Sequence, residues 1–153
     1  MANTLVQEYE QDFYAWLMKN AALIRQKRFA EIDAENVAEE LECMGRSEKR
    51  ELLSRLAVLL VHLLKWQFQP VKRSKSWRNT LFTQREDLDE LFEESPSLRY
   101  EFSQKIEKVY KKAKFAAEDE TGIDSAQFPP ECPFSFEQIL EKDFFPEEKL
   151  SSV

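Results

Sequence analysis

The sequence predicts an all-α protein, an up-and-down helical bundle of four to five helices with a proline- and phenylalanine-rich C-terminal extension. Three observations carry this expectation. Gly45 and Gly122 are the only glycines in 153 residues, and charged residues make up 33% of the chain, a balance that favours helix over turn-rich β architecture. Apolar residues recur at three- and four-residue steps in successive segments, the spacing of one face of a helix. Capping or breaking residues separate those segments. The length suits one ordinary core, so a bundle domain is expected over residues 1–122, with residues 123–153 as an extension packed on it.

The first helix is expected from Leu5 to Lys27, opened by a Thr4/Gln7 capping box and either continuous or broken near Asn20. Tyr9, Phe13, Trp16, Leu17 and Ile24 share its apolar face. Asp33 is the natural N-cap of a second helix, with Ile32 and Val37 placed as a hydrophobic staple. Val37, Leu41 and Met44 form its apolar face and Gly45 its stop. Ser47 then caps a central third helix, SEKRELLSRLAVLLVHLLKWQFQ, which Pro70 ends. Seven leucines between Leu52 and Leu64 cover a wide arc of that helix, so several neighbours must pack on it.

After the basic connection VKRSKSWRN, residues Trp77, Leu81, Gln84, Leu88 and Leu91 mark a fourth helix to about Glu94. Ser95 as N-cap and Pro96 at the first position open a fifth, which carries Leu98, Phe102, Ile106, Val109, Ala113 and Ala116 inward and ends near Gly122. Beyond it come prolines at 129, 130, 133 and 146 and phenylalanines at 128, 134, 136, 144 and 145. Disordered segments are poor in aromatics, so this reads as an ordered wrap. Ser135 and Gln138 form a capping box for a short helix within it.

The net charge is −7, which disfavours wholesale attraction to nucleic acid or an anionic membrane. The charge is segregated, however. Lys72, Arg73, Lys75, Arg78 and Arg85 stand between residues 70 and 85 without an acid, and six basic residues oppose two acids between 98 and 115. Ten acids oppose two lysines from Glu118 onward. The expectation is that the acidic, aromatic tail lies over the basic helices and neutralises them. Cys43 and Cys132 stand far apart, and the opening residues lack the pattern of a secretory signal. No apolar run approaches the roughly 20 residues of a spanning helix. A cytoplasmic protein without membrane association is therefore expected.

Two widely separated glycines exclude a GxGxxG fingerprint and a Walker A loop, and one histidine excludes HExxH. No cofactor and no metal site are expected. The lone His62 falls on the polar stripe of the central helix with Glu48, Glu51, Arg55 and Gln69; it reads either as a hydrogen-bonded structural histidine or as a general base. Asp12, Glu40 and Arg85 border apolar faces of their helices, so Asp12, Glu40, His62, Lys65 and Arg85 are candidates for a polar groove, with an ion-pair cluster as the alternative. Lys72, Arg73, Lys75 and Arg78, with Trp77 among them, are candidates for a basic patch that binds nucleic acid.

The order of YEQDFYAWL, FAEIDAENVAEELECMG, LLVHLLKWQFQP, SWRNTLFTQRED and SPSLR resembles the DUF29 family, which is abundant in cyanobacteria. The resemblance implies a small, mostly helical up-and-down bundle and no established activity. Asp12, Trp16, Asp33, Asn36, Glu40, Glu42, His62, Lys65, Trp77, Gln84, Arg85, Ser95, Pro96 and Leu98 match the family pattern most visibly. The leading expectation is a non-catalytic interaction or regulatory protein whose partner is another protein. A ligand or enzymatic site built on His62 with Glu40 is the alternative, and nucleic-acid binding through residues 72–78 the third reading.

Overall fold

The structure, a computed structural model, describes residues 4–147. It is all-α: α1 (Thr4–Gln11), α2 (Phe13–Arg25), α3 (Ala34–Phe68), α4 (Lys75–Glu94), α5 (Leu98–Thr121) and α6 (Phe136–Leu140) are joined by turns and 3₁₀ segments, the longest connection running over residues 122–135, with no strand among the described residues. The chain divides into two compact units, residues 1–48 and 49–153. The division falls inside α3.

In the first unit the expected single N-terminal helix breaks at Asp12 rather than near Asn20. Asp12 leaves helical geometry and its carboxylate accepts from the Ala15 backbone N–H at 3.1 Å, capping α2. Asn20 is instead buried inside an unbroken helix. The Thr4 cap falls on a side chain outside those described. At the other end of α2, Lys27 adopts φ 60°. Its N–H reaches the Ile24 carbonyl while Arg28 N–H reaches that of Leu23, a Schellman closure made without the usual glycine.

The core of this unit is polar. Trp16 is its one fully buried large apolar side chain among the described residues, and its indole N–H donates to Asp33 Oδ2 at 2.9 Å. Asn36 donates to the same oxygen, and Asn20 accepts from the Asp33 N–H while donating to the Trp16 carbonyl. Desolvation pushes the Asp33 carboxyl up, but the hydrogen bonds from Asn36 and Trp16 prevail and hold it below the ordinary carboxylate value.

Two sequence expectations fail in α3. Gly45 does not stop a helix and Ser47 does not start one; a single helix of 35 residues runs through both. Glycine closes a helix when it takes a left-handed φ, and Gly122 is the only glycine that does so here, at 76°. Leu41 and Met44, expected inward, are 64% and 66% exposed.

In the second unit, residues 49–68 of α3 run up, α4 runs back and α5 runs up again. The polarity follows from the pairs: Lys49 meets Glu101 and Lys65 meets Glu120, in the same order along α3 and α5, whereas Arg55 meets Asp87 and Lys65 covers Trp77 in opposite order along α4. Leu52, Leu56, Leu59, Leu60, Leu63 and Leu64 are fully buried. Ser74 caps α4 by accepting from Trp77 N–H. The expected Ser95–Pro96 start is displaced: Ser95 closes α4, Pro96 lies in the turn, and α5 begins at Leu98 without a side-chain cap.

Residues 123–147 contribute Phe128, Phe134 and Ile139 to the same core cluster as the α3 leucines. The Ser135–Gln138 capping box is formed in both directions. What locks this segment is Arg85, which is fully buried. Its guanidinium donates to the carbonyls of Ile139 (2.8 Å), Phe144 (3.1 Å), Gln138 (3.2 Å) and Lys142 (3.4 Å). Burial lowers its pKa to about 10, with Glu141 opposing the fall, so it remains charged at neutral pH.

Two outcomes follow from these placements. Gly45→Ala should stabilise the protein by about 0.5–1 kcal/mol, because nothing lies within 4 Å of the added Cβ and the position is helix interior; a loss of stability in urea unfolding would restore the expected helix stop. Arg85→Met should cost at least about 3 kcal/mol through stranded carbonyls and should expose residues 123–147 to limited proteolysis. Unchanged protection of that segment would show that the phenylalanines hold it unaided.

Candidate functional site

The most site-like concavity of the second unit lies between α3 and α5. One hollow of about 360 Å³ is lined by Ala57, Val58, Val61, His62, Lys112, Ala113, Ala116 and Glu120. A second, of about 280 Å³, is lined by Arg50, Leu53, Ser54, Ala57, Lys105, Lys108, Val109 and Lys112. They share Ala57 and Lys112 and so adjoin. The groove exists because parallel helices meet here with small residues, Ala57, Ala113 and Ala116, where larger side chains would fill the space. A hollow on α4, lined by Lys75, Ser76, Asn79, Thr80, Thr83 and Gln84, has all its walls on one helix and encloses nothing.

His62 is half-buried at one end of the groove. Its Nδ1 lies 2.9 Å from the Val58 carbonyl; a carbonyl only accepts, so the proton sits on Nδ1 and the neutral ring keeps its lone pair on Nε2. Loss of solvation lowers the His62 pKa from 6.5, the Val58 bond opposes the fall, Lys65 adds to it, and Glu120 opposes it. Lys65 is buried, with Nζ 3.4 Å from Glu120 and 4.8 Å from the centre of the Trp77 ring. His62 and Lys65 thus share Glu120 as their acidic neighbour.

The other candidates have separate engagements. Asp12 caps α2 in the first unit. Glu40, also in the first unit, accepts from the Tyr9 hydroxyl at 2.5 Å, a bond that raises the Tyr9 pKa to about 12. Arg85 is committed to carbonyls. In the basic segment, Arg73 donates to the Trp66 carbonyl and lies 5.0 Å from the Trp66 ring centre, and Arg78 lies over Trp66 and Phe145. Lys72 and Lys75 are exposed. Trp66 and Phe145 have their centres 4.8 Å apart, so the two arginines sit on one aromatic pair.

The acidic tail meets the basic helices without direct ion pairs from its carboxylates, although Glu141 acts at longer range on Arg85. Among the described residues, no carboxylate beyond Gly122 lies within ion-pair distance of a lysine or arginine; the tail's ion pairs run from Lys142 to Glu86 and Asp89 on α4. Apolar burial and Arg85 dock the segment instead. Among the described residues no group of three or more histidine, cysteine, aspartate or glutamate side chains is placed to hold a metal, and no helix is long and apolar enough to cross a membrane. The sequence marks Val109, Ala113 and Ala116 as an inward face and Lys105, Lys108 and Lys112 as part of a basic strip, but not their convergence with His62 on one groove.

Fold and site together define an all-helical bundle protein with a basic-rimmed, apolar-floored groove. A family model described as a domain of unknown function, DUF29, matches residues 8–145, and the chain belongs to that family. No curated protein and no solved structure matches it.

The His62 environment sets a pH dependence. The folded state holds the ring below 6.5, whereas the unfolded chain binds a proton near that value. The unfolded state therefore binds more protons as pH falls, so the contribution of His62 is full above about pH 6.5 and is lost on acidification. His62→Gln should flatten the change of the urea midpoint between about pH 7 and pH 5.5 relative to the unsubstituted protein. Parallel profiles would show that the ring titrates alike in both states.

Proposed function

We propose that this is a non-catalytic intracellular interaction protein whose N-terminal unit binds a partner protein. One observation carries the reading. Of thirteen exposed large hydrophobic side chains among the described residues, nine lie before residue 49: Val6, Phe13, Tyr14, Leu17, Met18, Ile24, Phe29, Leu41 and Met44. A unit with one fully buried large apolar side chain and nine exposed ones carries the kind of exposed apolar surface that marks an interaction site. The stripes Phe13, Leu17, Ile24 and Val37, Leu41, Met44 keep helical periodicity although their members are exposed or half-buried. The same unit carries ten acidic against five basic residues, so the partner it suits has an apolar patch rimmed by basic side chains. The free thiols of Cys43 and Cys132 agree with a reducing compartment.

A second reading has one observation in its favour. His62 offers an unprotonated Nε2 at the end of an apolar hollow near Lys112 and Glu120, an arrangement able to accept a proton from a small ligand. Among the described residues, the hollow is lined by no serine, threonine or cysteine to act as nucleophile.

The double substitution Leu41→Ser with Met44→Ser should leave the urea midpoint within about 0.5 kcal/mol of the original while removing the proteins that the intact chain retains in a quantitative pull-down. Retention of the same proteins by both forms would overturn the reading. So would a stability loss of several kcal/mol, since it would place these side chains in a core.

A further inference from the structure

We infer that the groove between α3 and α5 is a docking site for an acidic amphipathic helix of a partner protein, distinct from the surface of the N-terminal unit. The inference does not rest on the preceding one. It starts from the shape of the groove. Its α3 wall runs from Arg50 to His62, about 18 Å at the helical rise, and its floor is Ala57, Val58, Val61, Val109, Ala113 and Ala116. Small floor residues let a third helix approach closely and seat larger side chains of its own.

Charge selects the occupant. Arg50, Lys105, Lys108 and Lys112 rim the groove, and among the described residues none of the four lies within ion-pair distance of a carboxylate. The lysines fall at i, i+3 and i+7 on α5, the repeat at which a helix presents one stripe. A docked helix with acids at the same repeat would face all three, its apolar face on the floor. A fatty acid brings one charge to four cations. A nucleic acid brings many charges but no apolar face to cover the alanines and valines. At the far end Glu120 is already paired with Lys65, so the acidic stripe of the ligand should stop before it.

The probe is a fluorescein-labelled synthetic peptide of about 18 residues, with leucines at i, i+4 and i+7 and glutamates along the flanking stripe, titrated into the full-length protein and followed by anisotropy. A scrambled peptide of the same composition, laurate and a single-stranded oligonucleotide are the comparisons. The amphipathic peptide should bind, gain helicity by circular dichroism and weaken as salt rises. Reversing Lys105, Lys108 and Lys112 to glutamate should weaken it by about tenfold or more. Ala116→Trp, at an exposed position, should block the floor while the circular dichroism of the protein stays unchanged, and Leu41→Ser with Met44→Ser should bind the peptide normally. Equal affinity for the scrambled peptide, indifference to the charge reversal, or binding by laurate or the oligonucleotide alone would overturn the inference. So would sedimentation showing that the groove is occupied by a second copy of the chain.

Discussion

A fully buried guanidinium with no carboxylate partner is the constraint on which the second unit depends. Leaving such a charge unsatisfied in an apolar interior would cost several kcal/mol, so Arg85 requires acceptors. It finds them in backbone carbonyls between Gln138 and Phe144. Backbone oxygens become available in that number where a chain leaves a short helix, as in the last turn of α6 and the residues just beyond it. The requirement couples α4 to the C-terminal segment, and the segment in turn supplies Phe128, Phe134 and Ile139 to the leucine core of α3. Core packing and the arginine bonds stabilise the same arrangement, and neither is complete without the other.

The first unit is held by different physics. Its centre is a tryptophan hydrogen-bonded to an aspartate that also takes an asparagine, with a second asparagine closing the ring through backbone groups. Such a network fixes geometry through direction more than it contributes free energy through burial. Its members are well separated in sequence, which ties α2 to the start of α3. The apolar residues that a helical wheel assigns to the interior are left on the surface, because one tryptophan and its polar partners already fill the centre.

That difference explains what could be read from the amino-acid sequence. Helical class, the leucine face of α3, the Ser135 capping box and the Gly122 terminus were all legible because each is a local signal. Gly45 and Ser47 misled for the same reason: a glycine followed by a serine is a common stop and start, yet a helix tolerates both when the flanking residues on each side favour it. Arg85 stood out only as a charge bordering an apolar face, and nothing local could show that its acceptors lie more than fifty residues away. The groove was hidden because a concavity depends on which helices become neighbours. Lys105, Lys108 and Lys112 read as part of a basic strip for the acidic tail to cover, and only the fold places Ala57 beside them.

The two surfaces left over are chemically unlike. The N-terminal unit offers large, flexible apolar side chains, methionines and leucines among them, within an acidic surround; the α3–α5 groove offers alanine and valine beneath a row of unpaired lysines. Large adaptable side chains tolerate varied partners and give contact area with little directional demand. A lysine row at helical repeat demands charge in register and makes association sensitive to salt. One partner could satisfy both only by carrying a basic-rimmed apolar patch and an acidic amphipathic helix together. Raising ionic strength screens the lysine row and the acidic surround of the N-terminal unit alike, so only the apolar part of each contact, burial of side chains such as Leu41 and Met44, is left nearly untouched by salt.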